Sequence, residues 1–113
     1  MKRLILLLVP LALLVAGPAH SEDAMQYFNL GVQSSVTRKK IEYYTRALEL
    51  DPNLVEAYEK RGLLYYFQEN YDKVVQDYLT YLELAPAKGE AYIMVGIGYL
   101  KKWFYESALY YFT

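Results

Sequence analysis

Apolar positions after residue 22 recur at helical spacing, in runs separated by short polar breaks. Tyr58, Gly62 and Tyr65 stand at i, i+4 and i+7, so they occupy one face of a helix. The same spacing returns in the next run, through Val74 and Tyr78. The pattern predicts six helices, over 23–33, 37–50, 54–67, 71–84 and 88–101, with a last helix starting near Tyr105.

The chain also resembles itself when it is shifted by 34 residues. The shift aligns these identical pairs: Tyr44 with Tyr78, Leu48 with Leu82, Glu49 with Glu83, Leu50 with Leu84, Pro52 with Pro86, Glu56 with Glu90, Ala57 with Ala91, Tyr58 with Tyr92, Gly62 with Gly96, Tyr65 with Tyr99 and Tyr71 with Tyr105. Because proline cannot continue a helix, Pro52 and Pro86 mark the same boundary in consecutive units. Such a period predicts stacked helical hairpins with a core between neighbours, in units of about 24–54, 55–88 and an incomplete 89–113.

A 34-residue helical hairpin with these residues resembles the tetratricopeptide repeat. The second unit matches that family's pattern at Tyr58, Gly62, Tyr65, Val74, Tyr78 and Pro86, and the third at Tyr92, Gly96, Tyr99, Ala108 and Phe112. Arg61 and Tyr81 depart from the family's usual Leu and Ala. The first unit is shorter after its glycine, so either its first helix is shortened or its turn is tightened. The resemblance implies an all-α, right-handed superhelix of antiparallel helix pairs, with about 2.75 repeats.

Packing accounts for the repeated residues. Gly62 and Gly96 are expected to let the two helices of a hairpin approach closely. The repeated aromatic residues are expected to fill the space between helices: Tyr58, Tyr65, Tyr78, Tyr92 and Tyr99.

In the family that the chain resembles, the first helix of each pair lines a concave groove that commonly binds a peptide or a protein. Matching positions place the groove at Met25, Phe28, Val32, Glu56, Glu59, Leu63, Tyr66, Phe67, Glu90, Ile93, Ile97, Leu100 and Lys101. This set is apolar with acidic residues near one rim, which favours an apolar or amphipathic segment that carries some positive charge. The alternative is that Leu63, Phe67, Ile93 and Ile97 only pack against neighbouring helices.

Composition narrows the classes of function. With 113 residues, 55% of them apolar, and a net charge of −1, the chain has room for one small domain that is neither disordered nor a basic nucleic-acid binder. The absence of Cys excludes thiolate metal sites and Cys nucleophiles, and His20 is the only imidazole. We therefore expect no catalytic residue, no cofactor, no metal and no small-molecule substrate.

The N-terminus has the pattern of a secretory signal peptide. Lys2 and Arg3 precede an uncharged apolar run from Leu4 to Gly17, and small residues follow it. The sequence predicts a signal peptide at 1–21, a repeat domain at 22–113, and a periplasmic or secreted protein. The run is shorter than the roughly 20 residues that cross a bilayer, and an uncleaved membrane anchor is the alternative.

The last residues, Tyr110 to Thr113, provide no polar cap for the stacking face. Either the sequence is part of a longer protein, or its apolar end is buried by self-association. The expected function is a non-catalytic scaffold that binds a protein or peptide in the groove. The alternatives are a substrate-recruiting arm of a larger exported enzyme and a self-associating structural subunit.

Overall fold

The computed structural model of the protein describes residues 21–86 and 89–112, apart from the side chains of residues 107, 108, 111 and 112. The described residues form helices without strands, which confirms the predicted all-α class: α1 at 21–33, α2 at Thr37–Leu50, α3 at Val55–Phe67, α4 at Tyr71–Leu84 and α5 at Gly89–Phe112. Contacts join α2 to α3, α3 to α4 and α4 to α5, as in a helical stack. Except for Ser21, the predicted signal peptide lies outside the described residues.

None of the helices in the described part of the chain combines the length and the hydrophobicity needed to cross a membrane.

The turn between α3 and α4 is set by Glu69 and Asn70. Glu69 adopts a left-handed backbone with φ 61°, and the backbone N–H of Asn70 donates to the carbonyl of Tyr65 at 2.9 Å. The Asn70 side chain then accepts from the backbone N–H of Lys73, which makes it the N-cap of α4. A left-handed backbone costs a residue other than glycine about 1–2 kcal/mol. Glu69 adopts this conformation just after the end of α3, where it turns the chain towards α4.

The loops that contain the two prolines are closed by the same hydrogen bond. The Tyr58 hydroxyl donates to the Pro52 carbonyl at 2.8 Å, and the Tyr92 hydroxyl donates to the Pro86 carbonyl at 3.2 Å. The sequence period is therefore also a period in hydrogen bonding.

Helices within a unit meet where a tyrosine ring covers a glycine. A Cβ atom added to Gly31 would lie 2.5 Å from Cε1 of Tyr44, and one added to Gly62 would lie 2.8 Å from Cε2 of Tyr78. Neither position has room for a side chain, so the close approach predicted at Gly62 is confirmed. The two tyrosines lie in two buried clusters, one of Phe28, Tyr44, Ala47, Leu48 and Ala57, the other of Tyr65, Tyr71, Val74, Tyr78, Tyr81, Leu82 and Ala91.

The shorter first unit loses residues from its helix and keeps the length of its turn. The turns at residues 34–36 and 68–70 are equally long, but α1 ends at residue 33, soon after Gly31, whereas α3 continues from Gly62 to Phe67. The lost residues therefore amount to nearly one turn of α1.

The predicted break after residue 101 and the separate helix near Tyr105 are wrong, because α5 is continuous over 24 residues. The positions one period after the α3–α4 turn hold Lys102, Trp103 and Phe104. None of these three is a good N-cap or readily adopts a left-handed backbone, so nothing in the sequence ends the helix there. At 1.5 Å per residue α5 is about 36 Å long and extends beyond the start of α4.

The packing predicted for the third unit is accordingly wrong at three positions. Tyr92 and Tyr99 are 57% and 53% exposed, and Gly96 has no atom within 4 Å of an added Cβ. These positions would be covered only by a helix that folds back over α5. The close approach of α5 occurs instead at Gly98, where an added Cβ would lie 2.8 Å from Cγ2 of Val75 on α4.

A buried ion pair joins three helices. The Arg61 guanidinium on α3 donates to both carboxylate oxygens of Asp77 on α4, at 2.9 and 2.7 Å, and to the hydroxyl of Thr45 on α2 at 3.1 Å. Burial is the largest single influence on the pKa of the Arg61 guanidinium and lowers it, but the hydrogen bonds to Asp77 and the Asp77 charge, together with Tyr65 and Tyr58, raise the pKa overall. The departure of Arg61 from the family's usual Leu is therefore paired with an acidic partner.

Candidate binding groove

An open groove of about 580 Å³ lies between α3 and α5, above α4. Its walls and floor are formed by Glu59 and Leu63 of α3, Tyr78 and Tyr81 of α4, and Gly89, Glu90, Ala91, Ile93 and Met94 of α5. The groove is thus shared between the second unit and the third.

Helical spacing positions the walls. Glu59 and Leu63 are four residues apart on α3, and Ile93 and Met94 follow Glu90 by three and four residues on α5, so each group projects from one face. Each wall therefore combines a carboxylate at one end with aliphatic side chains one turn further along.

The floor is made of two tyrosines held in fixed positions. The rings of Tyr78 and Tyr81 meet edge to face with centroids 6.4 Å apart, and the Tyr78 hydroxyl donates to the backbone carbonyl of Glu59 at 3.3 Å. Both side chains are buried. Packing and the hydrogen bond hold these two rings in place, which lowers the entropic cost of ordering them when a segment binds.

The groove has a negative electrostatic character. Burial, followed by the nearby Glu59 carboxylate, raises the pKa of Tyr78 to about 12. Burial, and then the carboxylates of Glu59, Glu90 and Glu56, raise the pKa of Tyr81. Among the described residues, the lining of the groove contains the carboxylates of Glu59 and Glu90 and no Lys or Arg, so a bound cation would be attracted to these carboxylates.

Four of the predicted groove residues come together in the structure: Glu59, Leu63, Glu90 and Ile93. Others lie elsewhere on the surface. Glu56, Leu100 and Lys101 are exposed outside the lining of the groove, and so are Met25, Val32 and Phe67 on α1 and α3.

The prediction that Phe28 lines the groove is wrong. It is 6% exposed, and its ring packs against Tyr44 with centroids 5.6 Å apart, so it belongs to the core between α1 and α2. Tyr66 is half-buried against the Tyr71 ring, with centroids 6.1 Å apart, and Ile97 is also half-buried. Neither of these two side chains lines the groove.

Five residues that line the groove were not predicted from the sequence: Tyr78, Tyr81, Gly89, Ala91 and Met94. The two tyrosines lie on the face of α4 that pattern analysis assigns to the core, and they form both the core and the groove floor. Met94 stands four residues after Glu90, and that spacing was the signal that could have identified it.

Comparisons with known proteins agree with this architecture. A family model described as tetratricopeptide repeat matches residues 43–76, a segment one period long that runs from α2 through α3 into α4. The crystal structure of MamA protein superposes with a TM-score of 0.67 and 28% sequence identity, covering 80% of this chain and 51% of that one. The chain therefore contains a tetratricopeptide repeat, at residues 43–76.

A further relative of this chain is an enzyme. It is the UDP-N-acetylglucosamine–peptide N-acetylglucosaminyltransferase of Giardia intestinalis, which is 30% identical over 69 residues. That alignment covers 58% of this chain and 5% of the transferase. The chain therefore spans about half of MamA and a small part of the transferase.

Proposed function

We propose that the protein is a non-catalytic scaffold that holds a segment of another protein in the groove between α3 and α5. The observation that carries this proposal is the convergence of Leu63, Ile93 and Met94 above a tyrosine floor, with Glu59 and Glu90 at the ends of the walls. Tetratricopeptide repeats serve generally as protein-interaction modules, which supports the same function.

The groove favours a segment with an aliphatic side chain and a Lys or Arg nearby. An apolar side chain that becomes fully buried contributes about 1.5–3 kcal/mol, whereas an exposed ion pair contributes about 1 kcal/mol or less. The aliphatic contact therefore supplies most of the affinity. The two carboxylates select against acidic segments, because a like charge placed opposite them is repelled.

The test uses two labelled peptides of equal length, one of Leu and Lys residues and one in which Glu replaces each Lys. Fluorescence anisotropy should show that the Leu/Lys peptide binds at least about tenfold more tightly. Leu63→Glu combined with Ile93→Glu should abolish binding, whereas Gln76→Glu, on the exposed side of α4, should not. Unchanged binding by the double variant, with its helical circular dichroism intact, would refute the groove assignment.

A second candidate is a substrate-recruiting arm of a larger exported enzyme. The similarity to a short part of a glycosyltransferase favours it, because a related segment there belongs to an enzyme. Sequencing the gene beyond codon 113 tests this candidate. A catalytic domain in the same reading frame would support it, and an immediate stop codon would exclude it.

We also propose that the protein is exported, to the periplasm or outside the cell. The positive start, the apolar run and the small residues of segment 1–21 support this proposal. N-terminal sequencing of the protein recovered from the cell envelope or the medium should show that residues 1–21 have been removed. An intact N-terminus in the membrane fraction would favour the uncleaved anchor.

A further inference from the structure

The outward face of α5 carries residues at strict heptad spacing. We call this face the seam, and it consists of Tyr92, Gly96, Tyr99, Trp103, Glu106 and Tyr110. Successive members are four and three residues apart in alternation, which is the spacing of the contact line between two helices of a coiled coil. The seam runs for about 27 Å along the helix.

The seam contains Gly96, which no aromatic ring of the described residues covers. In the first and second units the glycines are covered by Tyr44 and Tyr78, whose ring atoms come within 2.8 Å of an added Cβ. The equivalent Gly96 has no atom within 4 Å of an added Cβ. The repeat pattern therefore calls for an aromatic ring at this position, and no residue in the described part of the chain supplies one.

The seam itself carries both the cavity and the rings that could fill it. A two-fold contact needs such self-complementarity, because each copy presents the same surface to the other. We propose that a second copy of this chain covers the seam, forming an antiparallel α5–α5 dimer in which Trp103 of each copy packs over Gly96 of the other. In this register the two-fold axis passes close to Tyr99.

Charge is compatible with self-pairing. Glu106 is the only charged member of the seam, and the register places the two Glu106 residues about 20 Å apart, so they do not oppose each other. Lys102 points towards α4, where its ammonium lies 2.8 Å from the Asp72 carboxylate. The seam therefore lacks the acidic pair that characterises the groove, and it suits an uncharged aromatic surface like itself.

The area available is sufficient for a weak dimer. Tyr92, Tyr99, Trp103 and Tyr110 are 57%, 53%, 59% and 78% exposed. With about 200 Å² for each aromatic side chain, the exposed portions come to roughly 500 Å² in one copy. Two copies would bury about 1,000 Å², which is at the lower limit for a specific interface and predicts a reversible dimer.

The proposed dimer is independent of the proposed binding function. Ile93, which lines the groove, projects about 100° around α5 from Tyr92, so it lies beside the seam and not on it. Failure of peptide binding would not count against the dimer, and a monomeric chain would not count against the groove.

Cysteine cross-linking of the full chain tests the contact, because the protein has no cysteine of its own. Tyr99→Cys should form a disulfide-linked dimer under mild oxidation, since the two-fold axis brings the two thiols together. Gln76→Cys, exposed on α4, is the matched control and should remain a monomer at the same concentration. Equal cross-linking of the two variants would overturn the proposal.

Gly96→Leu separates the dimer from the fold. A Cβ at this position meets no described atom within 4 Å, and Leu replaces a poor helix former, so the midpoint of thermal unfolding should rise. The same side chain fills the cavity that the partner's Trp103 would occupy, so sedimentation equilibrium should show a dissociation constant raised at least about a hundredfold. A full chain that is monomeric at 100 µM, or a dimer that survives Gly96→Leu, would overturn the proposal.

Discussion

Arg61 and Asp77 show how a single departure from a repeat pattern is accommodated. The Asp77 side chain is 5% exposed and that of Arg61 is 17% exposed, so both charges have largely left water. Such a pair contributes little net stability compared with apolar residues of similar volume, because desolvation offsets the attraction. Replacing only one of the two side chains is costly, because the charge of the other is then left buried without a partner.

We therefore expect Asp77→Ala to lower the free energy of unfolding by about 3 kcal/mol in urea denaturation. The double variant Arg61→Leu with Asp77→Leu should recover most of that loss, since it removes both charges and restores the family's usual Leu at position 61. A double variant as unstable as Asp77→Ala would contradict this account.

Tyr78 makes the stability sensitive to high pH. Its pKa is raised to about 12, because burial and the nearby carboxylates disfavour the phenolate. The ordinary pKa of tyrosine is about 10, so the folded state holds this proton more tightly than the unfolded chain does. The stabilisation is complete below pH 10 and is lost as the pH rises through about 12, which amounts to roughly 2–3 kcal/mol.

Urea denaturation at a series of pH values between 9 and 12 measures this effect. Tyr78→Phe should be slightly less stable at neutral pH, because it loses the hydrogen bond to the Glu59 carbonyl, but its stability should fall less steeply above pH 10. Parallel curves for the two proteins would show that Tyr78 does not carry the alkaline transition.

At the scale of helices, the sequence predicts those helix ends that are determined by the residues next to them. The predicted bounds of α2 and α4 agree with the structure. A proline lies two residues after the end of each helix, and Asn70 caps the start of α4. The 34-residue period predicts a turn at Lys102, Trp103 and Phe104, but these residues do not form one and α5 continues through them. The repeated packing residues Tyr99 and Tyr105 were present, but the turn between them was not.

The continuity of α5 is directly measurable. Spin labels at Tyr92→Cys and Tyr110→Cys should lie about 27 Å apart in a continuous helix, measured by pulsed dipolar spectroscopy on labelled chain diluted with unlabelled chain. Replacing Lys102, Trp103 and Phe104 by Gln, Glu and Asn, as in the α3–α4 turn, should shorten that distance to about 15 Å or less. A distance of about 15 Å or less between the two labels in the chain that keeps Lys102, Trp103 and Phe104 would show that α5 is broken there and that a separate sixth helix exists.

At the scale of the whole molecule, the groove could be predicted only in part. Repeat positions identified the wall residues Glu59, Leu63, Glu90 and Ile93, because they follow from which face of each first helix is exposed. The same rule misassigned Phe28, which packs into the core against Tyr44. Burial at a helix junction depends on how neighbouring units fit together, and one sequence does not specify that.

The acidic walls should govern how fast a cationic peptide binds more than how long it stays. Glu59 and Glu90 are exposed, so their attraction is screened within about 10 Å at 0.1 M salt, while the aliphatic contacts are not. Glu59→Gln with Glu90→Gln should therefore lower the association rate of the Leu/Lys peptide several-fold and flatten its salt dependence, with little change in the dissociation rate. Stopped-flow measurements from 20 to 500 mM NaCl test this. A loss confined to the dissociation rate would mean that the carboxylates form close, desolvated pairs with the ligand, and the groove would then recognise a specific cation rather than attract cations in general.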